Sequence, residues 1–266
     1  MERVSDLAIV LKTFPYQERD RIVVFLTENH GKYTGMAKGA VHSRRYGGSL
    51  DLLACSKIHF VRKPHAEMVR IEEATSHHEF ASLYRDFDRL TAASFAAEFC
   101  LRLLEAHMPS REMFVCVSNF LFQLDAGMPV SRAVNAFLCK AFKALGYPPS
   151  LLRCVRCGKP AHEVVTSGRV VWDSQAGGMT CGACHGEGRA GLELESELLL
   201  YFHKLTMTAF KDLNAELPPA DGLAWADAKL YRVLSDFLHH HIPGLPAGGL
   251  KSMRLLKTEV ASEKSC

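Results

Sequence analysis

The chain has 266 residues, room for two or three small domains, and its 48% hydrophobic and 23% charged residues are the balance of an ordinary folded protein. Its net charge of +3 is too small to prove a nucleic-acid partner. No apolar run approaches the roughly 20 residues of a membrane-spanning helix. The start, Met1-Glu2-Arg3-Val4-Ser5-Asp6, carries acids and lacks the basic residues and apolar core of a secretory signal, so a cytoplasmic location without a membrane partner is expected.

Residues 7–75 predict five short strands. Leu7-Ala8-Ile9-Val10-Leu11 opens, and after a polar turn containing Pro15 comes Arg21-Ile22-Val23-Val24-Phe25-Leu26-Thr27. Asn29-His30-Gly31 reads as a tight turn, since Asn and Gly tolerate positive φ. A third strand runs from Lys32 to Val41, with Gly35 and Gly39 placed for bends. Leu52 to Val61 and Met68 to Thr75 complete the set around a Pro64 turn. Five compact strands with glycine-marked bends fit a small closed barrel of the OB type, and an SH3-like barrel would produce much the same pattern.

From about Phe80 the apolar period changes from two to 3.6. Phe95, Phe99, Leu103 and Ala106 share one helical face; Phe114, Val117, Leu121 and Leu124 share a second. Val134, Leu138, Ala141 and Leu145 mark a third helix ended by Gly146. Leu194 to Leu213 and Leu223 to His241 supply two more, and Ala261 to Cys266 is expected to be a loose tail. These stripes are read as bundle core rather than as a cofactor pocket.

Between the third and fourth helices lies the most specific motif. Cys154-Val155-Arg156-Cys157-Gly158 and Cys181-Gly182-Ala183-Cys184 form C-x2-C-x23-C-x2-C. Each C-x-x-C turn aims two thiolates at one centre, and two turns complete a tetrahedron around zinc. Cys154, Cys157, Cys181 and Cys184 are therefore the predicted zinc ligands, with His162 and His185 as spare candidates. Val164-Val165 and Val170-Val171-Trp172 are expected to form a β-hairpin carrying the knuckles. Four thiolates close the coordination shell and leave no place for an activated water, which makes the zinc structural. Cys55, Cys100, Cys116 and Cys139 stand singly in apolar surroundings and read as buried free thiols.

Other constellations are weaker. Adjacent histidines at His239-His240-His241 point about 100° apart on a helix and suit its C-terminal dipole better than a metal. Gly31-Lys32-Tyr33-Thr34 lacks the first glycine and the Lys-Ser/Thr pair of a phosphate-binding loop. Neither a nucleophile-elbow motif nor a deaminase motif is present, so the chain is not read as an enzyme. Charge is distributed unevenly: Lys32, Lys38, Arg44, Arg45, Lys57, Arg62 and Lys63 face one acid, Asp51, a local +6 against +3 for the whole chain. Those seven residues are the candidate DNA contacts, against the plainer reading of a solvated basic face. Tyr33, Tyr46 and Phe60 lie among them and are available for base stacking, although strand aromatics are often core.

The order of parts and their wording resemble the bacterial RecO family. Asp6-Leu7-Ala8-Ile9-Val10-Leu11 and Tyr16-Gln17-Glu18-Arg19-Asp20-Arg21-Ile22-Val23 are similar to its first strand, loop and second strand. His30-Gly31-Lys32, Ala37-Lys38-Gly39-Ala40 and Ser43-Arg44-Arg45 resemble its third-strand region. Leu145-Gly146-Tyr147-Pro148-Pro149 and Gly177-Gly178-Met179-Thr180-Cys181 resemble its ribbon entry and exit, and Leu250-Lys251-Ser252 its C-terminal part. One departure is Leu52-Leu53, where the family often has a proline after the position of Leu50.

The resemblance implies an α+β multidomain protein: an OB-like barrel over 1–79, a helical bundle begun over 80–149 and completed over 191–266, and a zinc ribbon inserted over 150–190. It implies a non-enzymatic mediator of recombinational repair that binds single- and double-stranded DNA and works with RecR. It also implies engagement of the acidic C-terminal tail of single-strand-binding protein, help in loading RecA, and annealing of complementary strands. A tail-binding rim could come from Lys251 to Arg254 beside Leu250 and Leu255, or from Lys140 to Lys143 beside Phe137 and Phe142; Lys251 and Arg254 are favoured. The competing readings are a zinc-ribbon structural or transcription adaptor and a zinc enzyme.

Overall fold

The computed structural model describes residues 1–43, 46–64, 66–186 and 191–260. They fall into two compact units, one of Met1–Ala126 with Leu250–Leu256 and one of Gly127–Gly249 with the segment starting at Lys257.

The first unit is built on five strands: β1 (Glu2–Tyr16), β2 (Asp20–Thr27), β3 (Gly31–Ala37), β4 (Cys55–Arg62) and β5 (Val69–His78). They close into a barrel in the order β1-β2-β3-β5-β4, with β3 and β5 parallel and the other pairs antiparallel. This is the five-stranded Greek-key barrel of the OB type. Closure depends on β1, three times the expected length. Its first half pairs with β4 (Glu2↔Arg62 to Ile9↔Cys55) and its second with β2, and the register shifts between Val10 and Lys12 where the strand bends from one partner to the other. The polar Ser5, Asp6, Lys12 and Thr13 hide this length from an apolar pattern, and Pro15, expected in a turn, pairs with Arg21 near the strand's end.

Two further expectations are corrected. The fourth strand starts at Cys55, not Leu52, because Leu53 adopts φ +64 and its N–H donates to the Val10 carbonyl (2.8 Å) at the bend of β1. The third strand stops at Ala37, before Gly39 turns at φ +69. Gly35 remains inside it, where a Cβ would meet the Ile71 side chain at 2.9 Å. The core fills with Val10, Val23, Phe25, Tyr33, Phe60 and Ile71 among others, all buried.

Helices α1 (Phe87–Leu103) and α2 (Arg111–Asp125) belong to the same unit. Asp86 caps α1 by accepting from the amides of Asp88 and Arg89. The buried stripe on α2 holds Phe114, Val117, Leu121 and Leu124 as their spacing predicts, whereas on α1 it holds Phe95 and Phe99 but not Leu103, the half-buried last residue, or Ala106, exposed beyond the helix.

The second unit contains α3 (Val130–Ala144), α4 (Ala161–Ser167), β6 (Val170–Asp173), β7 (Gly178–Cys181), α5 (Gly182–His185), β8 (Leu192–Glu193), α6 (Ser196–Met207), α7 (Leu213–Glu216) and α8 (Ala224–His241). Helix α3 packs on α6 and α8. Buried Asp227 accepts from Ser131 Oγ (3.0 Å), Asn135 Nδ2 (3.0 Å) and Tyr201 OH (2.6 Å), which satisfies a carboxylate otherwise penalised by burial. The hairpin expected from Val164-Val165 and Val170-Val171-Trp172 is corrected in part. Residues 161–167 are helical after Pro160, with Val164 buried, and the partner of β6 is β7, with β8 on its other edge. A β-branched residue disfavours a helix only slightly, so burial decides. The last helix, α9 (Lys251–Val260), returns to the first unit with its opening residues. Ala261 to Cys266 lie outside the described residues.

Candidate functional site

Backbone geometry brings the four motif cysteines together. Cys154 follows the turn after α3, and its amide donates to the Lys159 carbonyl (2.8 Å) while Gly158 N–H donates back to Cys154 O (2.9 Å), which curls the first knuckle. Cys181 ends β7 and Cys184 lies on the α5 turn. The four Sγ atoms all lie within 4.8 Å of one another, with Cys157 and Cys181 at 3.8 Å. Burial pushes the Cys154 thiol up, but the amides of Cys157, Cys181 and Arg156 outweigh it and bring it down to about 6. Cys184, bonded to the thiols of Cys181 and Cys157, is pushed up to about 12. Sulfurs this close cannot all ionise unless a cation joins them. The donor set therefore fits a thiophilic metal ion, with no carboxylate or imidazole in the cluster.

The spare candidates stand apart. His162 is exposed on α4 beside Glu163, and His185 Nδ1 lies 3.3 Å from Thr180 Oγ1. The histidine run is used structurally: His239 and His240 bond carbonyls one turn back, and His241 bonds Ser174 O (2.6 Å). Together with Trp172 Nε1 donating to Asp236 Oδ2 (2.7 Å), that last bond ties the cysteine module to α8.

The described basic residues of the barrel differ in their surroundings. Lys38 is exposed just after β3, Lys57 is exposed on β4, and Arg62 and Lys63 border a cleft of about 690 Å³ at the far end of β4 with Glu2, Tyr33 and His107. Arg62 is held by Glu2 (2.5 Å) and by Tyr33 OH (3.1 Å). Lys32 serves the fold, because its half-buried ammonium donates to Cys100 O (3.2 Å) and Leu101 O (2.8 Å) at the C-terminus of α1. Arg44 and Arg45 lie outside the described residues. The stacking expectation is corrected. Tyr33, Tyr46 and Phe60 are 2%, 5% and 1% exposed, because they point into the barrel, where Phe25, Tyr33 and Phe60 pack ring against ring. On the described barrel strands the exposed aromatics are Phe14 and Tyr16, which strand reading passed over because they flank a proline taken for a turn.

On α9, Lys251, Arg254 and Leu255 are exposed while Leu250 is buried, and Glu98 accepts from the amides of Lys251 and Ser252. In the alternative stretch, Phe137 and Phe142 are fully buried, and Lys140 donates to Thr208 O (2.6 Å).

Ser82, His78 and Asp125 meet, but with the aspartate in the middle: it accepts from Ser82 Oγ (2.5 Å) and bonds His78 Nε2 (3.3 Å). The histidine bonds the carboxylate rather than the hydroxyl, so the three residues are not arranged as a Ser-His-Asp relay.

An OB-type barrel followed by helices and a four-thiol module defines a class of protein built on an oligonucleotide-binding scaffold. The profile described as "Recombination protein O N terminal" matches residues 1–80, and "Recombination protein O C terminal" matches 84–251. The DNA repair protein RecO of Anaeromyxobacter sp. (strain K) is 32% identical over 244 residues, covering 91% of this chain and 92% of that protein. That of Myxococcus xanthus (strain DK1622) is 30% identical over 243 residues, 91% of this chain and 93% of its own length. The chain belongs to the RecO family of DNA repair proteins. Among the described residues no helix is long and apolar enough to cross a membrane.

Proposed function

We propose that the protein is a non-enzymatic, cytoplasmic DNA-binding mediator of recombinational repair. In this reading it helps load RecA on DNA coated with single-strand-binding protein, anneals complementary strands and works with RecR. The observation that carries the reading is the family match across both parts of the chain, on a barrel of oligonucleotide-binding type. Exposed Lys38, Lys57 and Lys63, with Arg62, Arg44 and Arg45, contact phosphates; Lys32 adds to the field from its helix-capping position. Cys154, Cys157, Cys181 and Cys184 hold one structural zinc. Lys251 and Arg254, with exposed Leu255 beside them, receive the acidic, apolar-ended tail of single-strand-binding protein.

The test is titration of a labelled single strand at several salt concentrations. Wild-type protein is expected to bind without sequence preference. Reversing Lys38, Arg44 and Arg45 to Glu should weaken binding, and each lost phosphate contact should reduce the log–log salt slope by about 0.7. Unchanged affinity and slope would place the DNA surface elsewhere.

A further inference from the structure

The outer face of the β1–β2 hairpin breaks the alternation that governs the rest of the barrel. A sheet with one side in water ordinarily turns polar residues outward. Here Phe14 pairs with Ile22 and Ile22 with Met36, while Lys12 pairs with Val24. Residues directly opposite share a face, so an apolar row crosses three strands on the solvent side. Ile22, Val24 and Met36 are half-buried, and Phe14 and Tyr16 are 38% and 40% exposed.

Cations surround this row. Lys12 places its ammonium 5.3 Å from the centre of the Phe14 ring, Arg19 is exposed at the hairpin turn, and Lys38 is exposed at the end of β3. Lys12, Arg19 and Lys38 have no ion-pair partner among the described residues, in contrast to Arg21, held by Asp51 at 2.7 Å, and Arg62, held by Glu2. A polar protein partner or a plain solvated face calls for neither the rings nor the apolar row. Two exposed rings at positions i and i+2 of one strand, edged by unpaired cations, have the composition of a platform for unstacked bases with a phosphate track beside it.

We propose that Phe14 and Tyr16 stack on bases of single-stranded DNA, so that single strands are bound more tightly than duplex, with Lys12, Arg19 and Lys38 along the backbone path. The inference rests on the DNA-binding reading above and deepens it. A duplex keeps its bases stacked on one another and offers these rings only its edge, so the rings discriminate while the cations do not.

The experiment compares a thymidine oligomer with a duplex of equal length, using full-length wild type, Phe14→Ala/Tyr16→Ala, and Phe14→Trp/Tyr16→Trp. The alanine pair should bind the single strand at least about tenfold more weakly, since each base–ring stack contributes about 1–3 kcal/mol. Its duplex affinity and salt slope should stay within about twofold, and the tryptophan pair should restore single-strand binding. Single-strand affinity unchanged in the alanine pair would overturn the proposal. So would an equal loss on single strand and duplex, or a loss that the tryptophan pair fails to restore. Wild-type protein without single-strand affinity at low salt would overturn the DNA-binding reading itself.

Discussion

Three consecutive residues show how local chemistry and tertiary demand divide the work. Gly31 takes φ +88, and a Cβ there would meet Met108 O at 2.3 Å; Lys32 caps α1; Tyr33 fills the barrel and lies against His107 with ring centroids 4.7 Å apart. All three join the barrel to the loop between α1 and α2. Gly31→Ala should therefore destabilise the protein by at least about 2 kcal/mol, combining a disfavoured backbone with a clash against backbone. Lys32→Met should cost about 1–2 kcal/mol by leaving two helix-end carbonyls unpaired. Urea unfolding checks both, and wild-type midpoints would contradict this account of the junction. The turn glycine was legible from its neighbours in sequence. The partners of Lys32 and Tyr33 were not, because they come from residues 100–107, about 70 positions away, and side-chain type alone does not distinguish a phosphate contact from a helix cap.

At the level of elements, spacing located the thiols better than it located the backbone between them. C-x-x-C fixes the direction of two side chains within one turn, whereas Val164-Val165 could serve a strand or a helix until burial decided. Under the zinc reading the module depends on the metal, since structural zinc contributes roughly 10–16 kcal/mol in small peptide sites. Metal-replete protein should carry one zinc per chain, and chelation should free Trp172 from Asp236 and shift its emission to the red. Protein without stoichiometric zinc, or with emission indifferent to chelation, would contradict that reading. The α9 cap supplies a second test. Burial raises the Glu98 carboxyl, but hydrogen bonds from Ser252 and Lys251 outweigh it and hold it below its usual 4.5. A carboxylate with a lowered folded value stabilises fully above its unfolded value and loses that contribution as pH falls through the folded one. Glu98→Ala should thus cost about 1 kcal/mol at pH 7, and the gap from wild type should close as pH falls below the carboxyl's usual 4.5 and through its lowered folded value. Thermal unfolding across that range decides it; a gap independent of pH would remove the cap.

For the whole molecule, the barrel was legible as five strands because β3 alternates cleanly and the short apolar run of β2 is bounded by polar turns, and the helical stripes because Phe114, Val117, Leu121 and Leu124 follow a 3.6 period into the core. Which helices accompany the barrel was not legible: an apolar stripe says that a face is covered and not by what. Likewise the basic run from Lys32 to Lys63 mixes roles that sequence does not separate: Lys32 bonds the end of α1 and Arg62 pairs with Glu2, while Lys38, Lys57 and Lys63 stay exposed. Phe14 and Tyr16 lay outside that run and are the exposed rings of the described barrel strands. The central claim is mediation on DNA without hydrolysis, and its most direct test is annealing of two complementary strands coated with single-strand-binding protein, followed by energy transfer between labels in the absence of any nucleotide. The account predicts that the protein accelerates pairing well above the coated strands alone and that adding nucleotide changes nothing. No acceleration at protein concentrations that saturate single-stranded DNA would contradict it.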